Sequence, residues 1–154
     1  MRIFIDTEFT DYANPELISI GLVTDDGAHE FYAELPVNKA RCNDFVLSTV
    51  LPQLAQTPEV LCSTAELEVR LRTWLGQFEL LAPVTICYDY SGDWQLLCGV
   101  MQSGMPAWIR QKNINQQIDP VALQKYFVEN RLKEHHALND AKANRHAYDP
   151  MRGV

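Results

Sequence analysis

From Arg2 to Phe9 the chain runs as a short apolar stretch in which alternate positions fall on opposite faces. This predicts a strand with Ile3 and Ile5 on one side and Phe4, Asp6 and Glu8 on the other. Leu17 to Thr24 (LISIGLVT) predicts a second strand, closed by the turn signal Asp25-Asp26-Gly27, and Glu30 to Leu35 predicts a third. Three strands linked so closely make an antiparallel start. Beyond them the period lengthens. Asp44 to Leu51 reads as a short helix ended near Pro52. Ser63-Thr64-Ala65-Glu66 forms a capping box ahead of Leu67, Leu71, Trp74, Leu75 and Phe78 at helical spacing. Pro83 to Tyr88 predicts a fourth strand, Trp94 to Met101 a helix, and Ile114 to Ile118 a short fifth strand. Asp119 reads as an N-cap with Pro120 at the first helical position and Leu123, Tyr126 and Phe127 on the buried side. A last helix is expected from about Ala137 to Tyr148. The order predicts an α/β fold, with a mixed sheet antiparallel first, parallel later and flanked by helices.

Length and composition narrow the class. The 154 residues suit one domain spanning 1–154, with enough chain for a real core. Apolar and charged fractions of 47% and 21% are those of an ordinary globular protein, and no run of about 18 apolar residues predicts a membrane span. Met1 to Asp6 places an acid inside the first apolar run, so no signal peptide is expected. Cys42, Cys62, Cys87 and Cys98 form no CxxC pair, which argues against structural zinc and for reduced thiols in a cytoplasmic protein. The net charge of −7 speaks against a broad basic face for nucleic acid. Bound divalent cations would reverse that charge locally, where a phosphate must sit.

Three short motifs carry candidate chemistry. In Asp6-Thr7-Glu8, residues two apart project from one strand face, and two acids among Ile and Phe are costly unless neutralised. A hard divalent cation is the economical partner, and an exposed charged strand face is the plain alternative. Asp93 follows the fourth strand at a helix start. Asp89 competes with it, and either could be an N-cap or turn residue. In His135-His136-Ala137-Leu138-Asn139-Asp140-Ala141, residues five apart lie about 140° apart on a helix. His135 and Asp140 can therefore serve one site only if His135 lies in the lead-in loop. A histidine there suits general-base work, and an exposed histidine pair is the alternative.

Taken together, Phe4-Ile5-Asp6-Thr7-Glu8-Phe9, Asp93 with Leu96 and Leu97 behind it, and the His135 to Ala141 segment resemble the DEDDh family of 3′–5′ exonucleases. That family includes proofreading subunits, ribonuclease T and oligoribonuclease, and its ribonuclease H-like architecture has the element order described above. The pattern H-x-A-L-x-D-A selects His135 rather than His136. The tyrosine variant of the family is disfavoured, because His136 stands four residues before Asp140. The chain is most similar to small single-domain exoribonucleases of the RNase AS type, through MRIFIDTEF, ELISIGLV and HHALNDA. Two positions depart from the broader family: Ser19 stands where many members have Glu, and Asp89 where many have Asn.

The resemblance implies that Asp6, Glu8, Asp93 and Asp140 hold two Mg²⁺ or Mn²⁺ ions, with Asp6 bridging them and neutral His135 serving as base. It implies a single-stranded nucleic-acid substrate, RNA 3′ ends before DNA, and a homodimer. Thr7, Phe9, Tyr12 and Asp89 are expected to contact substrate, Phe9 and Tyr12 by stacking on the terminal base; core packing is the alternative for Phe9. Arg110, Lys112, Arg131, Lys133 and Arg145 are candidates for tracking the strand backbone or plain surface charges. Three other activities remain open: a phosphodiesterase for very short oligonucleotides, a DNA-directed exonuclease, and an idle fold that only binds.

Overall fold

The structure, a computed structural model, describes residues 1–153. Its centre is a five-stranded mixed sheet in the order β3-β2-β1-β4-β5, built from β1 (Arg2–Phe9), β2 (Leu17–Thr24), β3 (Glu30–Glu34), β4 (Val84–Tyr88) and β5 (Ile109–Asn113). β1 pairs antiparallel with β2, and β2 with β3, whereas β1–β4 and β4–β5 are parallel. The described residues form four α-helices: α1 (Thr64–Gly76) and α2 (Ser91–Val100) pack on one face of the sheet, α4 (Ala137–Ala147) lies on the other, and α3 (Pro120–Asn130) packs against α4.

Alternation along β1 divides the interior in two. Ile3 and Ile5 pack with Leu67, Leu71 and Leu75 of α1 and Leu97 of α2, while Phe4 packs with Ala141 of α4 on the opposite face. Acids at Asp6 and Glu8 follow Phe4 in this alternation, so they emerge on the α4 side just where the parallel strands β1 and β4 end. Local signals place the helices. The Ser63–Glu66 capping box is complete in both directions, and Asp119 Oδ1 accepts from the Val121 and Ala122 amides beside Pro120. Trp74, Trp94 and Trp108 pack against the larger core.

Three expectations are corrected. The fifth strand is Ile109–Asn113, not Ile114–Ile118. It is an edge strand whose side chains are largely exposed, so it carries no apolar alternation. Ile114 instead plugs the smaller core, Asn115–Gln117 forms a 3₁₀ turn, and Ile118 makes a lone bridge to Tyr148. The segment after Asp44 is helical, but Val46–Val50 takes π geometry and Leu51–Gln53 tightens to 3₁₀ through Pro52. Phe78 is buried but lies beyond the end of α1 at Gly76.

Gly21 decides how closely α4 approaches. It pairs with Asp6 across the β1–β2 ladder, and a Cβ there would meet the backbone of α4, 2.3 Å from Leu138 N and 2.5 Å from Ala137 C. Backbone cannot yield as a flexible side chain does. Gly21→Ala is therefore expected to cost at least about 3 kcal/mol, lowering the melting temperature by about 6–12 °C. A thermal melt checks this, and a melt unchanged from wild type would show that α4 has room to shift.

Candidate active site

A cavity of about 560 Å³ opens at the ends of β1 and β4, and every site residue expected from sequence lines it. β1 supplies Asp6, Thr7, Glu8 and Phe9, the turn beyond it Tyr12, the end of β4 Asp89, the first turn of α2 Asp93, the lead-in loop His135, and α4 Asp140. Asp93 and Asp89 are thus not competitors: both face the same space. Asp93 sits inside α2 rather than capping it, and is buried. Among the described residues the cavity lining contains no lysine or arginine.

The carboxylates fall into two groups. Glu8, His135 and Asp140 each offer a ligand atom within 4.8 Å of the others, and so do Asp6, Asp89 and Asp93. Within each group the carboxylates repel one another; at 4.8 Å a charged pair costs on the order of 3 kcal/mol for an effective dielectric of about 20. Their proton affinities reflect this. Burial first, then the charges of Asp93, Asp140, Glu8 and Asp89, pushes Asp6 well above the carboxylate range. Burial, then Asp140 and Asp93, raises Glu8 to about 8. Burial raises Asp93 to about 7 against the hydrogen bond from Thr7, and raises Asp140 to about 7 against the backbone amides of His135 and His136. Asp89 is raised too, chiefly by burial.

Divalent cations fit this donor set. Asp93 Oδ2 and Asp140 Oδ1 are buried without a hydrogen-bond partner among the described residues, although their sister oxygens are engaged. A buried carboxylate oxygen left bare is costly, and a hard cation satisfies it while offsetting the charge of its neighbours. The two groups that could hold such an ion are Glu8, His135 and Asp140, and Asp6, Asp89 and Asp93.

Other groups hold the donors in place. Thr7 Oγ1 donates to Asp93 Oδ1 at 2.6 Å, so its hydroxyl orients a carboxylate. His135 adopts a left-handed backbone (φ 68°), which turns its amide onto Asp140 Oδ2 at 2.8 Å and leaves the ring edge-on to Phe45. Gln53 Nε2 clamps the same loop through the carbonyls of Glu134 (2.7 Å) and His135 (3.1 Å). His136 points elsewhere, stacked on Tyr32 with centroids 4.6 Å apart. Phe9 lines the cavity rather than the core, in an aromatic cluster with Tyr12 (5.2 Å) and Tyr90 (5.9 Å). Of the basic candidates, Lys112 is spent on Tyr148 and Arg145 on the Asp25 carbonyl, and Arg110 stands on β5. Arg131 and Lys133 border a second hollow that adjoins His135.

Sequence reasoning passed over Asn144, Tyr90 and Phe45. Asn144 follows Asp140 by one helical turn, a spacing that could have revealed it, and donates to Asp89 Oδ1 at 2.9 Å. Tyr90 sits in the short connection between β4 and α2, and Phe45 in the short helical segment after Asp44, where no motif singles it out. No protein-family model matches the chain, and no curated protein does either, so the site is read from its own residues.

Proposed function

We propose that this protein is a metal-dependent 3′–5′ exonuclease of ribonuclease H-like architecture, an exoribonuclease that releases nucleoside 5′-monophosphates from single-stranded 3′ ends. One observation carries the proposal: Asp6, Glu8, Asp93, His135 and Asp140, drawn from separate elements, line one cavity with bare buried carboxylate oxygens. The strand order β3-β2-β1-β4-β5, antiparallel across its first three strands, supports the architecture. The DEDDh-like motifs support the reaction class, and the resemblance to RNase AS-type exoribonucleases supports RNA before DNA.

Two Mg²⁺ or Mn²⁺ ions, held by Asp6, Glu8, Asp93 and Asp140, would supply the positive charge that activates water and stabilises the departing oxygen. The chain's own groups do the rest. His135 takes a proton from the attacking water as it bonds to phosphorus, and the bond from phosphorus to the 3′ oxygen of the penultimate nucleotide breaks. Phe9, Tyr12 and Tyr90 give the terminal base an aromatic surface, with Tyr12 76% exposed and free to stack. Thr7 and Gln53 hold Asp93 and the His135 loop through the cycle.

Matched 5′-labelled RNA and DNA strands, digested with Mg²⁺ or Mn²⁺, test the proposal. A ladder shortening from the 3′ end, faster on RNA and abolished by EDTA, is the expected result. Internal cuts, or cleavage that persists in EDTA, would contradict it. Cleavage of dinucleotides alone would assign the site to very short oligonucleotides.

A further inference from the structure

A strand bound at this site has a direction. In an in-line displacement the attacking and leaving oxygens stand on opposite sides of phosphorus. His135, the base of the proposed reaction, precedes α4, whose first turn lies on Gly21 of β2. Attack therefore comes from the β2 side of Asp6, and the departing 3′ oxygen faces the other way, towards β4 and β5. Another hollow, of about 610 Å³, opens there, where Tyr88 and Asn113 pair at the ends of those strands. It shares Asp89 and Tyr90 with the cavity. Gly92 makes room for the Tyr90 ring, since a Cβ at that position would collide with it. A strand that crosses Tyr90 leaves its terminal nucleotide in the cavity and its penultimate one in the hollow.

The hollow is polar without being basic. Ser91, Asn113, Asn115, Gln116 and Gln117 line it, and among the described residues no lysine or arginine does. Arg131 and Lys133 border the hollow beside His135, on the attack side. An upstream nucleotide is therefore offered neutral donors and acceptors here, and no ion pair. Asn113 Oδ1 is taken by the Asn115 amide and Gln117 Nε2 by the Pro150 carbonyl, whereas the side chains of Asn115 and Gln116 are exposed. A ribose 2′ hydroxyl both donates and accepts. That of the penultimate nucleotide sits beside the departing 3′ oxygen, at the mouth of this hollow. We propose that the hollow between β4, β5 and Tyr90 seats the penultimate nucleotide, and that Asn115 and Gln116 hydrogen-bond its 2′ hydroxyl and so favour RNA over DNA. The inference rests on the exonuclease reading and places the discrimination between sugars one nucleotide upstream of the 3′ end.

Single-turnover cleavage of 5′-labelled DNA strands carrying one ribonucleotide, with the full chain and Mn²⁺, tests it. A ribonucleotide at the penultimate position should speed the first cut about tenfold over all-DNA, the worth of one hydrogen bond. The same ribonucleotide at the terminal position should leave the rate within about twofold of all-DNA. A 2′ hydroxyl also eases departure of the neighbouring oxygen by itself, a gain that no side chain supplies. The double variant Asn115→Ala, Gln116→Ala separates the two effects, and its penultimate gain should fall to about a third of the wild-type gain or less. Both side chains are exposed, so the fold should survive, and Asn115→Ser with Gln116→Ser serves if it does not. A gain at the terminal position, or a penultimate gain undiminished in the double variant, would overturn the inference and leave the exonuclease reading standing. No shortening of any strand, all-RNA included, would refute the exonuclease reading and the inference with it.

Discussion

Asp93→Asn and Asp140→Asn are each expected to lower kcat by on the order of a thousandfold, because each removes a carboxylate from the set that concentrates positive charge on the scissile phosphate. Both replacements keep an acceptor for their existing partners, the Thr7 hydroxyl and the His135 amide. They should therefore fold, and in EDTA they should be more stable than wild type, since each relieves repulsion in a buried acidic cluster. A gain of about 1 kcal/mol would raise the melting temperature by about 2–4 °C. Loss of activity with gain of apo stability marks a functional cluster, as opposed to a structural one. His135→Ala separates base from ligand. As a base it should lose about a hundredfold in kcat with Mn²⁺ affinity intact; a fall in affinity instead would make His135 a ligand of the Glu8–Asp140 group. Single-turnover cleavage beside thermal melts in EDTA provides both measurements.

The second large effect is on stability across pH. Glu8 at about 8, with Asp93 and Asp140 at about 7, lies above the ordinary carboxylate range that these groups regain on unfolding. Between roughly pH 4 and 8 the folded state therefore binds more protons than the unfolded state, and stability falls as pH rises. Each independent group contributes up to about 1.4 kcal/mol per pH unit, and the interacting carboxylates share their titration. The opposite trend from Asp26, Glu66 and Glu68, held low by local hydrogen bonds, acts at lower pH, and that from the single His136, held low chiefly by burial, opposes the decline only below its ordinary value near 6.5 and is outweighed by the three carboxylates. Melts in EDTA should thus decline from pH 5 to pH 8. Saturating Mg²⁺ or Mn²⁺ should reverse the decline, adding about 2.7 kcal/mol at a hundred times Kd, with the largest gain at pH 8. A melting temperature that is flat across this range and indifferent to metal would contradict a cation-binding cluster.

Much of this architecture was legible because the sequence repeats its instructions locally. β1 and β2 carry apolar residues that must be buried, α1 opens on a capping box, and α3 opens on Asp119-Pro120, signals whose physics is complete within a few residues. The edge strand Ile109–Asn113 was not, since a strand paired on one side with exposed side chains leaves no alternation to detect. Ile114 and Ile118 attracted the assignment because they are apolar, but they serve as separate anchors. The π turn after Phe45 leaves no sequence mark either.

The acids of the site were legible individually, through the two-residue spacing of Asp6 and Glu8 and the five-residue spacing of His135 and Asp140. What the spacing could not convey is that Asp89 and Asp93 share one space, since that depends on where β4 ends and on the contact that brings Asp93 to Thr7. Nor could it show that Gly21, unremarkable within LISIGLVT, sets the approach of α4. Long-range fit of this kind is carried by backbone contacts, which composition and period do not encode.

Anomalous diffraction from crystals grown with Mn²⁺ locates the ions without reference to catalysis. The proposed site predicts strong peaks in the cavity between β1, α2 and α4, within coordinating reach of Asp6, Glu8, Asp93 and Asp140. A cavity without anomalous density at saturating Mn²⁺, or manganese bound only elsewhere on the surface, would contradict it.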